Sequence, residues 1–206
     1  FIGQVSMVAF PVLKRLDADG QREKYLTLRL LLHTVLPFVY LLYVPVNIIF
    51  GLWLPEYDDS LFYLALTMPL CVYNCKASLL FNNYLKMCRS EGALCLINLA
   101  TMVLNVVFAT VSIVAFESVE MATCGIVCSV ALRDLVFELF LAQKFGNDIA
   151  RVCISEALFA VGFMIASWCL GDGSWLVVLV MLAVFVLLNR EGVKLAASEV
   201  GKRIFR

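Results

Sequence analysis

Six long apolar stretches, roughly residues 29–53, 60–86, 93–116, 120–143, 150–170 and 174–189, limit this chain more than any motif does. A helix needs about 20 apolar residues to cross about 30 Å of hydrocarbon, and every stretch but the last is comfortably that long. Short polar or Gly/Pro breaks separate them at Glu56–Ser60, Lys86–Gly92, Glu117–Glu120, Lys144–Asp148 and Gly171–Ser174. No ten-residue alternation of apolar and polar residues appears, so helices rather than barrel strands are expected to satisfy the backbone in lipid. Hydrophobic residues make up 63% and charged residues 16% of the chain. A 23.0 kDa globule with mean hydropathy +0.93 has too little interior for that much apolar surface. A soluble enzyme, a disordered chain and a secreted disulfide scaffold are thereby excluded. The expected fold class is all-α, a polytopic membrane protein with six transmembrane helices.

Orientation is read from the basic residues. Lys14, Arg15, Arg22, Lys24 and Arg29 precede the first stretch. Lys86 and Arg89 lie in the second break, Lys144 and Arg151 in the fourth, and Arg190, Lys194, Lys202, Arg203 and Arg206 in the tail. The other breaks carry only acids: Glu56, Asp58, Asp59, Glu117, Glu120 and Asp172. Fourteen of the sixteen Lys and Arg residues thus fall on one side, which predicts that both termini are cytoplasmic. Trp53, Trp168 and Trp175 all fall at the opposite ends of their stretches, where amphipathic rings settle at the headgroup level. Phe1–Leu13 is apolar but too short to span, and reads as the end of a preceding helix. On this reading 1–28 is that helix end and a cytoplasmic loop, 29–143 is a set of four spans, and 144–206 is a further pair with a basic tail.

The sixteen basic and sixteen acidic residues cancel, so nothing points to nucleic acid. Cys71, Cys75, Cys88, Cys95, Cys124, Cys128, Cys153 and Cys169 show no metal-ligand spacing and are expected to pack as small apolar residues. No nucleotide-binding, hydrolase or metalloprotease motif is present, so no cofactor, metal or catalytic residue is assigned. The single histidine, His33, has no carboxylate near it in sequence and is expected to be a packed group. Pro37 and Pro45 in the first stretch, and Pro69 in the second, each remove a backbone donor and should bend their helices.

Polar residues inside the stretches carry the strongest functional signal, because each costs several kcal/mol in hydrocarbon unless paired or hydrated. The second stretch holds Asn74, Lys76, Ser78, Asn82 and Asn83, and a helical wheel places Lys76 and Asn83 on one face with Asn74 and Ser78 opposite. The third holds Asn98 and Asn105, which can bond across helices. In the fourth, Arg133, Asp134 and Glu138 share one half of the wheel, while Leu132, Leu135, Val136 and Leu139 fill a lipid-facing half. Counted inward from the outer ends, Lys76 lies within about 5 Å of the depth of Asp134 and Glu138. It is therefore expected to pair with at least one of them.

Three segments resemble a known family. Phe50-Gly51-Leu52-Trp53-Leu54-Pro55-Glu56-Tyr57-Asp58-Asp59-Ser60 is similar to an outer turn of the bacterial polysaccharide flippases in the multidrug/oligosaccharidyl-lipid/polysaccharide exporter superfamily. Asn82-Asn83-Tyr84-Leu85-Lys86-Met87-Cys88-Arg89 resembles their next cytoplasmic turn, although the Gly-Lys usual there is missing. Phe10-Pro11-Val12-Leu13-Lys14-Arg15-Leu16 resembles the helix end before the ninth span. The resemblance implies a C-terminal part, helix 8 through helix 14, of a bacterial inner-membrane transporter whose N-terminal lobe would be its partner. Residues 29–143 would be four helices of the second lobe and 150–189 an additional pair. It also implies alternating-access transfer of an undecaprenyl-pyrophosphate-linked oligosaccharide, for cell-surface polysaccharide synthesis. Charge and depth then make Lys76, Arg133, Asn74 and Asn83 candidates for contact with the headgroup, and Asp134 and Glu138 candidates for ion coupling or charge pairing. Two alternatives stay open: a multidrug exporter of the same superfamily, which would favour acids and aromatics over basic groups, and an intramembrane glycosyl- or phosphotransferase.

Overall fold

The computed structural model describes residues 18–53, 58–146, 150–170, 174–190 and 192–194, and every regular element among them is helical. The chain enters α1 (Ala18–Val35), passes through a 3-10 segment (Leu36–Leu42), and continues as α2 (Tyr43–Trp53). Pro37 sits in the first turn of the 3-10 segment and Pro45 in the first turn of α2, positions where a missing N–H costs least. The two prolines thus account for the change of helix type. Residues 18–28 are helical and continuous with the first stretch instead of forming a loop. The remaining residues assigned to the preceding helix end and loop, 1–17, lie outside the described ones.

The second rod is α3 (Asp58–Lys76), a π segment (Ala77–Phe81) and α4 (Asn82–Met87). Pro69 is buried inside α3. In the π segment the Asn82 N–H donates to the Ala77 carbonyl, one residue further back than in an α-helix. The Asn83 amide nitrogen donates to the Leu79 carbonyl (2.9 Å) and the Ser78 carbonyl (3.5 Å) of the same segment.

A tight turn leads to α5 (Glu91–Phe116), and Glu117 and Ser118 then join it to α6 (Val119–Phe145). Glu117 closes α5 in the left-handed conformation at φ 49°, and the Ser118 Oγ accepts the Met121 N–H at 3.2 Å to start α6. Gly146, at φ 67°, ends α6 where only glycine is unstrained. The Lys144 ammonium then reaches back to the Cys88 carbonyl (3.2 Å) and Ser90 Oγ (3.3 Å), tying this end of α6 to the turn before α5. α7 (Ala150–Leu170) and α8 (Ser174–Leu188) follow among the described residues.

Among the described residues, three helical stretches, Gly20–Phe50, Tyr63–Met87 and Glu91–Phe116, are long and apolar enough to cross a membrane. α6 is 27 residues long but carries four charges in its second half, and the apolar parts of α7 and α8 are shorter, at Val152–Ser167 and Leu176–Leu187.

α5 lies along α6, α6 packs on α3, and the α7–α8 pair packs on α3 and on the 3-10 segment. Gly125 allows the α5–α6 approach, since a Cβ there would stand 2.9 Å from the Phe108 Cβ. Two apolar clusters stabilise the bundle. One, at the basic end, gathers Tyr25, Leu80, Phe81, Tyr84, Phe137 and Leu141 from α1, the second rod and α6. The other, nearer Trp53, gathers Tyr40, Tyr43, Met68, Phe159, Phe163 and Phe185. Arg29, His33 and Glu138 are flanked along their helices by residues of the first cluster.

Candidate functional site

Four helices bring ionic side chains to one level. Glu138 of α6 is 1% exposed and holds two cations at once. Its Oε2 accepts from Arg29 Nη2 (2.6 Å) and Nε (3.1 Å) of α1, and its Oε1 lies 2.6 Å from the Lys76 ammonium of α3. Lys76 is also ion-paired to Glu156 of α7. The second oxygen of Glu156 lies 3.1 Å from His33 Nδ1, and the far nitrogen of that ring is 3.4 Å from Ser155 Oγ. Asp134 pairs with Arg133 (3.0 Å), whose guanidinium also donates to the Asn74 Oδ1 of α3 at 3.1 Å. The result is three cations facing three carboxylates, with one imidazole at the edge.

Balance explains why such a cluster survives burial. A lone charge at this depth would cost several kcal/mol, whereas each carboxylate here faces a cation within 4.0 Å. Phe81 adds its ring face 5.6 Å from the Lys76 ammonium. One atom is left over: Asp134 is 3% exposed, and its Oδ2 has no hydrogen-bond partner.

A cavity of about 270 Å³ opens against this cluster, lined by Tyr73, Lys76, Asp134, Glu138, Cys153 and Glu156 among others. A second space of about 20 Å³, room for about one water, lies between His33, Tyr40, Tyr73 and Glu156. On the other side of His33 an apolar groove of about 650 Å³ runs between α1, α7 and α8. Among the described residues, no group of His, Cys, Asp and Glu is arranged to hold a metal ion.

The equal-depth expectation for Lys76 meets its partner in Glu138, and Arg133 and Asn74 come together beside Asp134. Leu132, Leu135, Val136 and Leu139 are 38% to 50% exposed, and Leu132 and Leu135 also border the charged cavity. Asn83 is not among the residues lining the charged cavity, and its amide nitrogen donates to the Leu79 carbonyl. Three expectations need correction. His33 does have a carboxylate beside it, supplied by a helix more than a hundred residues further on. Arg29, counted among the loop charges, is 5% exposed and bonded to Glu138. Asn105 also departs from expectation, with its side-chain carbonyl buried and unpartnered rather than bonded across helices.

Two members of the cluster were missed outright. Glu156 stands alone in an otherwise apolar stretch, and a search for every acid inside a span would have flagged it. Arg29 lies one helical turn before His33, an i,i+4 spacing that places both on one face. Comparison of the chain with protein-family models, with curated proteins and with solved structures returned no match in any of the three.

Proposed function

We propose that the chain is a six-span transporter module of the flippase type, with both ends cytoplasmic, that moves a lipid-linked oligosaccharide to the outer leaflet of a bacterial cell membrane. The observation that carries this reading is the balanced charge cluster at mid-depth, bordered by a cavity and tied to four helices. Assembly alone would be served better by apolar packing, since a buried ion network repays its desolvation poorly. A network whose partners exchange as helices move is what alternating access requires.

Within this reading the roles sharpen. Lys76 and Arg133 are held by carboxylates at rest, so a pyrophosphate headgroup binds them by displacing Glu156 or Asp134. Asp134 and Glu138 are the groups a coupling ion would neutralise. The distribution of Lys and Arg, and of the three tryptophans, supports the orientation.

One observation favours a second reading, a multidrug exporter of the same superfamily. The cavity wall carries three carboxylates and Tyr73 against a single ammonium, which suits a cationic substrate. Deleting the coding gene in its own host separates the two. Flippase function predicts that lipid-linked oligosaccharide accumulates facing the cytoplasm and that surface polysaccharide is lost. Unchanged polysaccharide together with raised sensitivity to organic cations would overturn the first reading in favour of the second.

A further inference from the structure

α5 carries a seam that the described chain leaves open. The side of α5 turned into the bundle is marked by Thr101 and Ser112, both 7% exposed, and by Phe108, whose Cβ stands against Gly125 of α6. About 80° further round the helix run Cys95, Asn98, Met102, Asn105, Ala109 and Phe116. Their steps of three and four residues keep them in one line, the spacing with which two helices pair along their length. Cys95 and Asn98 are exposed, as are Met102 and Phe116. Leu96, Val103, Val107 and Val114, on the far side, are apolar and exposed, as lipid contact requires.

Asn98 is the residue that lipid contact does not explain. At 1.5 Å per residue α5 is about 39 Å long, against about 30 Å of hydrocarbon. Asn98 lies seven residues from the start of the helix, which places its amide about 6 Å inside the hydrocarbon. It has no hydrogen-bond partner among the described residues. An amide left so in lipid is costly, and membrane helices relieve that cost by bonding across to a neighbour. Asn105, one heptad on, has its carbonyl buried within its own bundle, so Asn98 is the amide the seam presents outward.

The chemistry of Asn98 selects the neighbour. A carboxamide both donates and accepts, so another carboxamide satisfies it on both counts. Two copies inserted with the same topology run α5 parallel, and a two-fold axis between them sets each seam position opposite itself. Asn98 then meets Asn98 of the second copy, and Cys95 meets Cys95. The small side chains of Cys95 and Ala109 let the two backbones approach.

We propose that this seam of α5 pairs with the same seam of a second copy, through an Asn98–Asn98 hydrogen bond within the membrane. α5 contributes no residue to the charge cluster, so the pairing does not rest on the transporter reading and either can hold without the other.

The test keeps the protein in its own membrane, with every cysteine except Cys95 replaced by serine. A lipid-permeable copper–phenanthroline oxidant then joins thiols that face each other, and a disulfide-linked product of doubled mass is expected. Leu96→Cys in the cysteine-free chain lies at the same depth but turns away from the seam, and should give at least tenfold less product. In membranes fused with excess lipid, Asn98→Leu should lower the Cys95 product about fivefold, the size of one interhelical hydrogen bond in lipid. Asn98→Gln keeps the carboxamide and should restore most of it. Because Asn98 is exposed, the melting temperature of the monomer in detergent should not change in Asn98→Leu. Equal cross-linking at positions 95 and 96 would mean random collision and would overturn the pairing, as would no product at all. A product whose mass is not doubled would put another protein on the seam and overturn the second copy as its occupant. A Cys95 product indifferent to Asn98→Leu, or a monomer destabilised by it, would remove the amide as the cause of association.

Discussion

Two membrane-length helical stretches of this chain meet their surroundings in opposite ways. Half of the apolar window in Tyr63–Met87 is buried inside the bundle, but only 11% of the window in Glu91–Phe116 is, although the second stretch is the more apolar. Water would select the reverse. In lipid, an apolar side chain gains nothing by leaving the tails, whereas a polar one must find a partner. Leu96, Leu99, Met102, Val103 and Val106 therefore stand outward on α5, while Lys76, Asn83 and Tyr73 turn inward on the second rod. Burial in this protein follows polarity, and the apolar clusters fill in around the charges.

The comparison breaks most sharply at Glu138. Glu138→Gln leaves Arg29 and Lys76 without their shared carboxylate and should cost about 3–5 kcal/mol, read as a lower melting temperature in detergent. Adding Arg29→Met should recover much of that loss, because the double variant keeps Lys76 paired with Glu156. A double variant no more stable than the single one would show that Arg29 is not the stranded charge.

The same residue type on the two stretches gives the next contrast. Leu80→Ala, at a side chain with 0% exposure, should cost about 2–5 kcal/mol. Leu99→Ala, at 56% exposure on α5, should stay within about 0.5 kcal/mol. Equal losses would mean that α5 is packed against something as closely as the second rod is.

α5 is held to α6 by close approach rather than by charge. Gly125→Leu would push side-chain atoms into Phe108 and should cost about 1–3 kcal/mol, with α5 rather than α3 becoming accessible to proteolysis. The one change expected not to destabilise is at Asn105, whose buried side-chain carbonyl has no hydrogen-bond partner. Asn105→Leu should be neutral or stabilising by up to about 1 kcal/mol, and a clear loss of stability would mean that the amide is held after all.

The sequence by itself determined the helices and their breaks. Apolar run length and the residues that interrupt it are local quantities, so the joins at Glu117–Ser118 and Gly146 sit close to where the runs end. It also determined that Lys76 needs a carboxylate at its own depth, since depth follows from counting residues along a helix. The backbone adjustments were not legible in this way. The 3-10 segment after Val35 and the π segment after Lys76 arise where helices accommodate proline and neighbours. Only the tertiary structure decided the membership of the charge cluster. Arg29, His33, Lys76, Glu138 and Glu156 come from four helices, and what joins them is the cost of leaving any one unpaired in an apolar bundle. That cost requires partners but is indifferent to sequence distance, so the chain specifies how many charges must meet while the packing of α7 against α1 and α3 specifies which.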